Sequence, residues 1–216
     1  MKKARVLVIN PNSNASVTRG LAEALQPFDL HPGIRIDCQT IVDGPFGIES
    51  DADIEAVVPL IVDHVRSNAD YDAYVIACYS DPGLVECRAI TGKPVFGIQQ
   101  SALATSVARG ARFGVLALGE KSIARHLRYI RKLKLEHFLA GERSLDLSVD
   151  EAANGSSTMA KIIEAGRRLV DERSAEVLIL GCAGMAVHRS VAQQRLGVPV
   201  IDPTQAAVAL AVGALL

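Results

Sequence analysis

The chain has 216 residues, 49% hydrophobic and 22% charged, a balance that suits a folded core and excludes a disordered chain. Lys and Arg total 23 against 24 Asp and Glu, so the net charge is −1 and neither nucleic acid nor an anionic membrane surface is expected as a partner. At about 150 residues per domain this is one large domain or two small ones, and no apolar run approaches the roughly 18 residues of a membrane span.

The opening Met1-Lys-Lys-Ala-Arg5 leads straight into Val6-Leu-Val-Ile9. It lacks the long apolar stretch of a signal peptide, so the cytoplasm is the expected location. From there short β-branched runs alternate with helical stretches. Strands are predicted over 5–9, 34–41, 73–78, 94–98, 112–118, 176–181 and 198–201. Most are continuous apolar runs such as Val75-Ile-Ala77 and Val177-Leu-Ile-Leu180, as parallel strands covered on both faces require. Helices are predicted over 14–26, 51–68, 82–90, 99–109, 120–133, 157–172, 185–195 and 203–216. Ser50 before Asp51 and Asp53 reads as a helix start, and Asp202-Pro203 as an N-cap followed by proline in the first turn. The span 134–150 is the least legible and has room for one further strand. The alternation implies an α/β fold with parallel sheets.

The two halves repeat each other. Arg5-Val-Leu-Val-Ile-Asn10 pairs with Arg112-Phe-Gly-Val-Leu-Ala117, Tyr74-Val-Ile-Ala-Cys78 with Val177-Leu-Ile-Leu-Gly-Cys182, and Gly92-Lys-Pro-Val-Phe-Gly-Ile98 with Gly197-Val-Pro-Val-Ile-Asp202. Two similar α/β lobes related by a pseudo-two-fold follow, with the site in the cleft between them. The first lobe is 1–98 plus 203–216 and the second is 99–202, helices 99–109 and 203–216 crossing between them.

This duplication puts a cysteine at the end of a buried strand in each lobe, Cys78 before Tyr79-Ser-Asp-Pro-Gly83 and Cys182 before Ala183-Gly-Met185. Ligands of open α/β sheets bind beyond the carboxyl ends of the strands. A helix N-terminus there lowers a thiol's pKa. Two thiols aimed at one cleft from opposite sides can take a proton from one face of a carbon and return one to the other. Cys38, mid-strand, and Cys87, mid-helix, read as packing residues.

These motifs resemble those of the hydantoin and allantoin racemases within the cofactor-independent aspartate/glutamate racemase superfamily. Ala77-Cys-Tyr-Ser-Asp-Pro-Gly-Leu84 and Leu180-Gly-Cys-Ala-Gly-Met185 carry the likeness. Ile9-Asn-Pro-Asn-Ser13, Ala124-Arg-His-Leu127 and Val200-Ile-Asp202 extend it over nearly the whole chain. The resemblance implies a racemase with two Rossmann-like lobes and no cofactor, Cys78 and Cys182 as its two bases, a small-molecule substrate and a homo-oligomeric assembly. The family often has Ser-Ile-Glu where this chain has Gly47-Ile-Glu49, and Gly-Ile-x-Glu where it has Gly97-Ile-Gln-Gln100.

Removing the α-hydrogen of a hydantoin or allantoin ring makes an enolate whose charge sits on the carbonyl oxygen. Backbone N–H groups around Tyr79-Ser80 and Ala183-Gly184 are placed to cradle that oxygen. Asn10, just beyond the first strand, can donate to a ring carbonyl or cap a local turn. Asn12, Ser13 and Asn14 read as turn and helix-cap residues. In Asp43-Gly-Pro-Phe-Gly-Ile48, Phe46 or Ile48 can wall the ring or pack in the core. His188 has a supporting role or none. The positives from Lys121 to Lys134 read as a solvated helix face. No residues have metal-ligand spacing, and neither a nucleotide loop nor a nucleophile elbow is present. Other readings stay open: an aspartate or glutamate racemase, a decarboxylase or cis–trans isomerase of the same superfamily, or a two-lobed small-molecule sensor.

Overall fold

A computed structural model of the chain describes residues 3–30 and 32–216; Met1 and Lys2, part of the N-terminal reading above, lie outside them. The first half runs β1 (Ala4–Asn10), α1 (Ala15–Leu25), β2 (Ile34–Thr40), α2 (Asp51–Ser67), β3 (Ala73–Ile76), α3 (Leu84–Ile90), β4 (Val95–Gly97) and α4 (Ile98–Ala108). The second runs β5 (Phe113–Ala117), α5 (Glu120–Lys132), β6 (Leu139–Ser144), α6 (Val149–Asn154), α7 (Thr158–Arg173), β7 (Val177–Leu180), α8 (Arg189–Leu196), β8 (Val200–Ile201) and α9 (Pro203–Leu215).

Each half forms a four-stranded parallel sheet with the same strand order, β2-β1-β3-β4 and β6-β5-β7-β8. The fold is α/β with two lobes, as the internal repeat implies. Alternation along β1 feeds two cores. Val6 and Val8 join an apolar cluster that runs on through Val115, Val177 and Ile179 of the second sheet. Leu7 and Ile9 join Ile76, Val57 and Ile61 under α2.

The helix starts have local causes. Asn14 caps α1 by accepting from the Ser16 amide. Ser50 and Asp53 form a reciprocal capping box on α2. Asp202 caps α9, with Pro203 in its first turn. Helix α9 packs on β1, β3 and β4 of the first sheet and against α4.

The span 134–150 holds one further strand, β6, as the sequence left room for, followed by the start of α6. β6 is half-buried along its whole length and sits at the sheet edge, so it carries no apolar run. The helix expected over 185–195 starts earlier, as a 3₁₀ segment Ala183–His188 that passes into α8. Cys182 begins that segment with its Sγ accepting from the Gly184 amide at 3.3 Å, and its carbonyl accepts from Met185. Among the described residues no helix is long and apolar enough to cross a membrane.

Candidate active site

Cys78 and Cys182 follow the ends of β3 and β7, the equivalent inner strands of the two sheets, and line one narrow cavity between the lobes. Gly181 brings the second cysteine in. A Cβ at that position would stand 2.6 Å from the Leu116 carbonyl oxygen, so only glycine lets the two strand ends approach. Tyr79, Ser80, Ala183, Gly184 and Ile48 line the same cavity, so the structure brings these seven expected residues together. The cavity is small, about 40 Å³.

Lobe-to-lobe ties surround it. Asn14 donates to Asp150 at 2.9 Å, Asn154 to Ser16 at 2.9 Å, and the Val149 amide to Glu49 at 2.8 Å. Helix α1 packs on the 3₁₀ segment behind Cys182 and on α6.

Asn10 is not brought to the cavity. It is fully buried, and its amide donates to Asn12, to the Asn14 carbonyl and to Thr18, so it organises the loop rather than facing a ligand. Asn12, read as a turn residue, does line the cavity while its Oδ1 accepts from Asn10 and from the Asn14 amide. Phe46 is 61% exposed and leaves the wall to Ile48. His188 pairs with the Ala152 carbonyl at 3.2 Å, away from the lining. Cys87 is fully buried among apolar residues, and Cys38 packs beside the main core.

The expectation that helix N-termini lower the thiol pKa values is overturned by burial. Burial and the neighbouring Cys182 push Cys78 up to about 12, although the Ser80 amide and Arg125 pull the other way. Burial pushes Cys182 up to about 11 against the Gly184 and Met185 amides, and Glu49 adds to the rise. Both are resting thiols at neutral pH. A carboxylate adds to the rise at each, Asp81 at Cys78 and Glu49 at Cys182, and Cys78 also has a cation, Arg125, opposing it.

The helix α5 supplies Arg125, expected on a solvated face, together with Ser122 and His126, for which no site role was expected. Arg125 keeps only 12% of its side chain exposed, bonds Ser122 and Asp51, and lines the cavity with Ser122 and His126. His126 Nδ1 lies 2.9 Å from Glu142 Oε2, both side chains almost fully buried. The His126 and Tyr79 rings meet edge-to-face with centroids 4.8 Å apart. Burial raises Glu142 above the usual carboxylate range, with His126 opposing, and raises the Tyr79 phenol well above its ordinary value. The signal was present: Ser122, His126 and Ile130, four residues apart, form the buried stripe of α5.

Behind Cys78, Asp81 turns its carboxylate onto the start of α4, accepting from the Gln99 and Gln100 amides at 2.9 and 2.8 Å. A Cβ at Gly97 would overlap that carboxyl group. In the second lobe the same service to α9 comes from its own N-cap, Asp202. Among the described residues no three His, Cys, Asp or Glu side chains group as metal ligands.

The model of the Asp/Glu/Hydantoin racemase family matches residues 6–211. A hydantoin racemase of Paenarthrobacter aurescens is 34% identical over 213 residues, covering 94% of this chain and 87% of that protein. One from Pseudomonas sp. (strain NS671) is 31% identical, covering 96% and 84%. The solved allantoin racemase from Klebsiella pneumoniae superposes with a TM-score of 0.93 at 26% identity, covering 99% of this chain and 88% of that one. Two parallel sheets in the same order, two cysteines facing one cavity and a family match over almost the whole length agree, and the chain belongs to the Asp/Glu/Hydantoin racemase family.

Proposed function

We propose that the chain racemises a 5-substituted hydantoin or allantoin by two-base proton transfer between Cys78 and Cys182. One observation carries this reading: two cysteines from equivalent points of two like lobes line a single cavity. The hydantoin and allantoin racemases it resembles supply the substrate class.

In each turnover one sulfur, as thiolate, takes the α-proton, and the C–H electron pair moves to the adjacent carbonyl as an enolate. The opposite thiol delivers its proton to the other face of the same carbon, leaving itself as thiolate. The product is the mirror image, and the protonation states of the two cysteines have exchanged. They return to the start by exchange with water. The amides of Ser80, Gly184 and Met185 support the thiolate forms. Backbone N–H groups at Tyr79 and Ala183, on the cavity wall, are assigned to the enolate oxygen. The substrate's own carbonyl acidifies the proton, so the scheme uses no cofactor. Ile48 and Val149 wall the ring. Cytoplasmic location and assembly as a homo-oligomer complete the proposal, as does the division into 1–98 plus 203–216 and 99–202.

Polarimetry on allantoin, several 5-substituted hydantoins, aspartate and glutamate tests it. Loss of optical rotation with a hydantoin or allantoin is the expected result. Racemisation of the free amino acids alone overturns the substrate class, and binding without turnover overturns the enzyme.

A further inference from the structure

The cysteine cavity does not end at Cys78. Ser80 and Arg125 belong both to its wall and to that of an open groove of about 410 Å³ between α2 and α5. Ile54 and Tyr129 give this groove apolar surface, and Arg128 stands over it from α5, 64% exposed. Gln99, which is 2% exposed, also lines it.

Two buried polar atoms here have no hydrogen-bond partner, Gln99 Nε2 and Arg125 Nε. A buried donor without an acceptor is unfavourable, and two of them on one groove call for an acceptor there. A carboxamide can turn either end to a ligand, but a guanidinium only donates. The pair is therefore complementary to an acceptor. Two carboxylates, Asp51 and Glu55, line the groove against the three cations Arg125, Arg128 and Lys132. Asp51 reaches Arg125 at 3.4 Å and Arg128 at 3.7 Å and leaves Arg125 Nε unbound.

We propose that this groove is the subsite for the ring's substituent, and that it selects substituents ending in a carboxylate or amide-type carbonyl over purely aliphatic ones. The inference rests on the racemase reading above and narrows its substrate class. The geometry suits it: Ser80 and Arg125 line both the cysteine cavity and the groove, so a ring held in the cavity has the groove beside it.

The test compares 5-(2-carboxyethyl)hydantoin with 5-isobutylhydantoin on the full chain, reading kcat and KM by polarimetry and Kd by calorimetry. The unmodified chain is expected to favour the carboxyethyl compound about tenfold in kcat/KM, chiefly through KM. Gln99→Leu replaces an unpartnered amide with an apolar group of similar size, so the fold is retained, and the ratio of the two KM values is expected to fall about fivefold. Arg128→Gln, on the surface, should lower the same ratio and leave a neutral carbamoylethyl compound less affected. Equal KM values in the unmodified chain overturn the subsite, as does a ratio untouched by both substitutions. If neither of these hydantoins nor allantoin is racemised, the proposed function falls, and the ratio of Kd values still decides the subsite.

Discussion

Asp81 Oδ1 accepts the Gln99 amide at 2.9 Å, so a carboxylate from the loop behind Cys78 caps a helix eighteen residues further along the chain. Burial pushes this carboxyl up from 3.8 to about 7, and Asp202 up to about 6, despite the amides they accept. In both, the native chain holds the proton more tightly than the unfolded chain. The resulting stabilisation is fully present below the unfolded value and is lost as pH rises through 6 and 7. Thermal midpoints should fall from pH 5 to pH 8, and Asp81→Asn should flatten the part of that slope nearest pH 7. His64 and His188, lowered by burial, act in the opposite sense below about pH 6.5, so the deciding comparison is between chains: a slope near pH 7 unchanged by Asp81→Asn contradicts the assignment.

The two-base scheme makes each cysteine responsible for one enantiomer. Cys78→Ser and Cys182→Ser should each lose racemisation by orders of magnitude, because a hydroxyl is far too weak an acid to replace a thiol. Each variant should still exchange the α-hydrogen of one enantiomer with solvent deuterium, and the two should act on opposite enantiomers, as read by proton NMR. Exchange of the same enantiomer by both would reduce the scheme to one base. Cys38→Ser and Cys87→Ser should racemise nearly normally, with a stability loss of about 1 kcal/mol.

Both thiols rest protonated, with Cys182 near 11 and Cys78 near 12. Only the thiolate abstracts a proton, and its fraction rises tenfold per pH unit below the thiol's pKa. Log kcat/KM, corrected for uncatalysed racemisation, should therefore climb with a slope near one between pH 7 and 9. A plateau already reached at pH 7 would show a thiolate formed at rest.

Gly181→Ala puts a methyl group 2.6 Å from the Leu116 carbonyl oxygen, a backbone atom of β5 that cannot swing aside. The end of β7 must move, and Cys182 moves with it. Displacing a reacting group by about 1 Å costs on the order of a hundredfold in rate. Racemisation should fall by that factor while chemical denaturation registers about 1–2 kcal/mol. Equal rates in variant and unmodified chain would show that the cysteine's placement does not depend on this contact.

Much of this architecture is legible because parallel strands buried on both faces read as unbroken apolar runs, as in Val6–Ile9 and Val177–Leu180. The cysteines are legible because each stands beside a repeat of the other's surroundings. β6 escapes because an edge strand that carries the charged Glu142 and Arg143 has no such run. Arg125 and His126 escape because α5 is strongly basic overall, and the basic character masks its buried Ser122-His126-Ile130 stripe. Asn10 misleads for a different reason. An asparagine beyond a strand end has the same chemistry whether it faces a ligand or its own loop, and here Asn12, Asn14 and Thr18 take up its donors.

Helix α9 covers β1, β3 and β4, elements made more than a hundred residues before it, and Gln205 fastens it to the Ala24 carbonyl at 2.6 Å. During synthesis one face of the first sheet thus stays only partly covered, by α1 and α4, until residues 203–215 have left the ribosome. Val6, Val8 and Val75 wait with it. The first half cannot finish as an independent unit while the second is being made, and the two halves must close together. The nascent chain spends that interval as a partly covered sheet, the state in which chaperone binding and wrong pairing compete with folding.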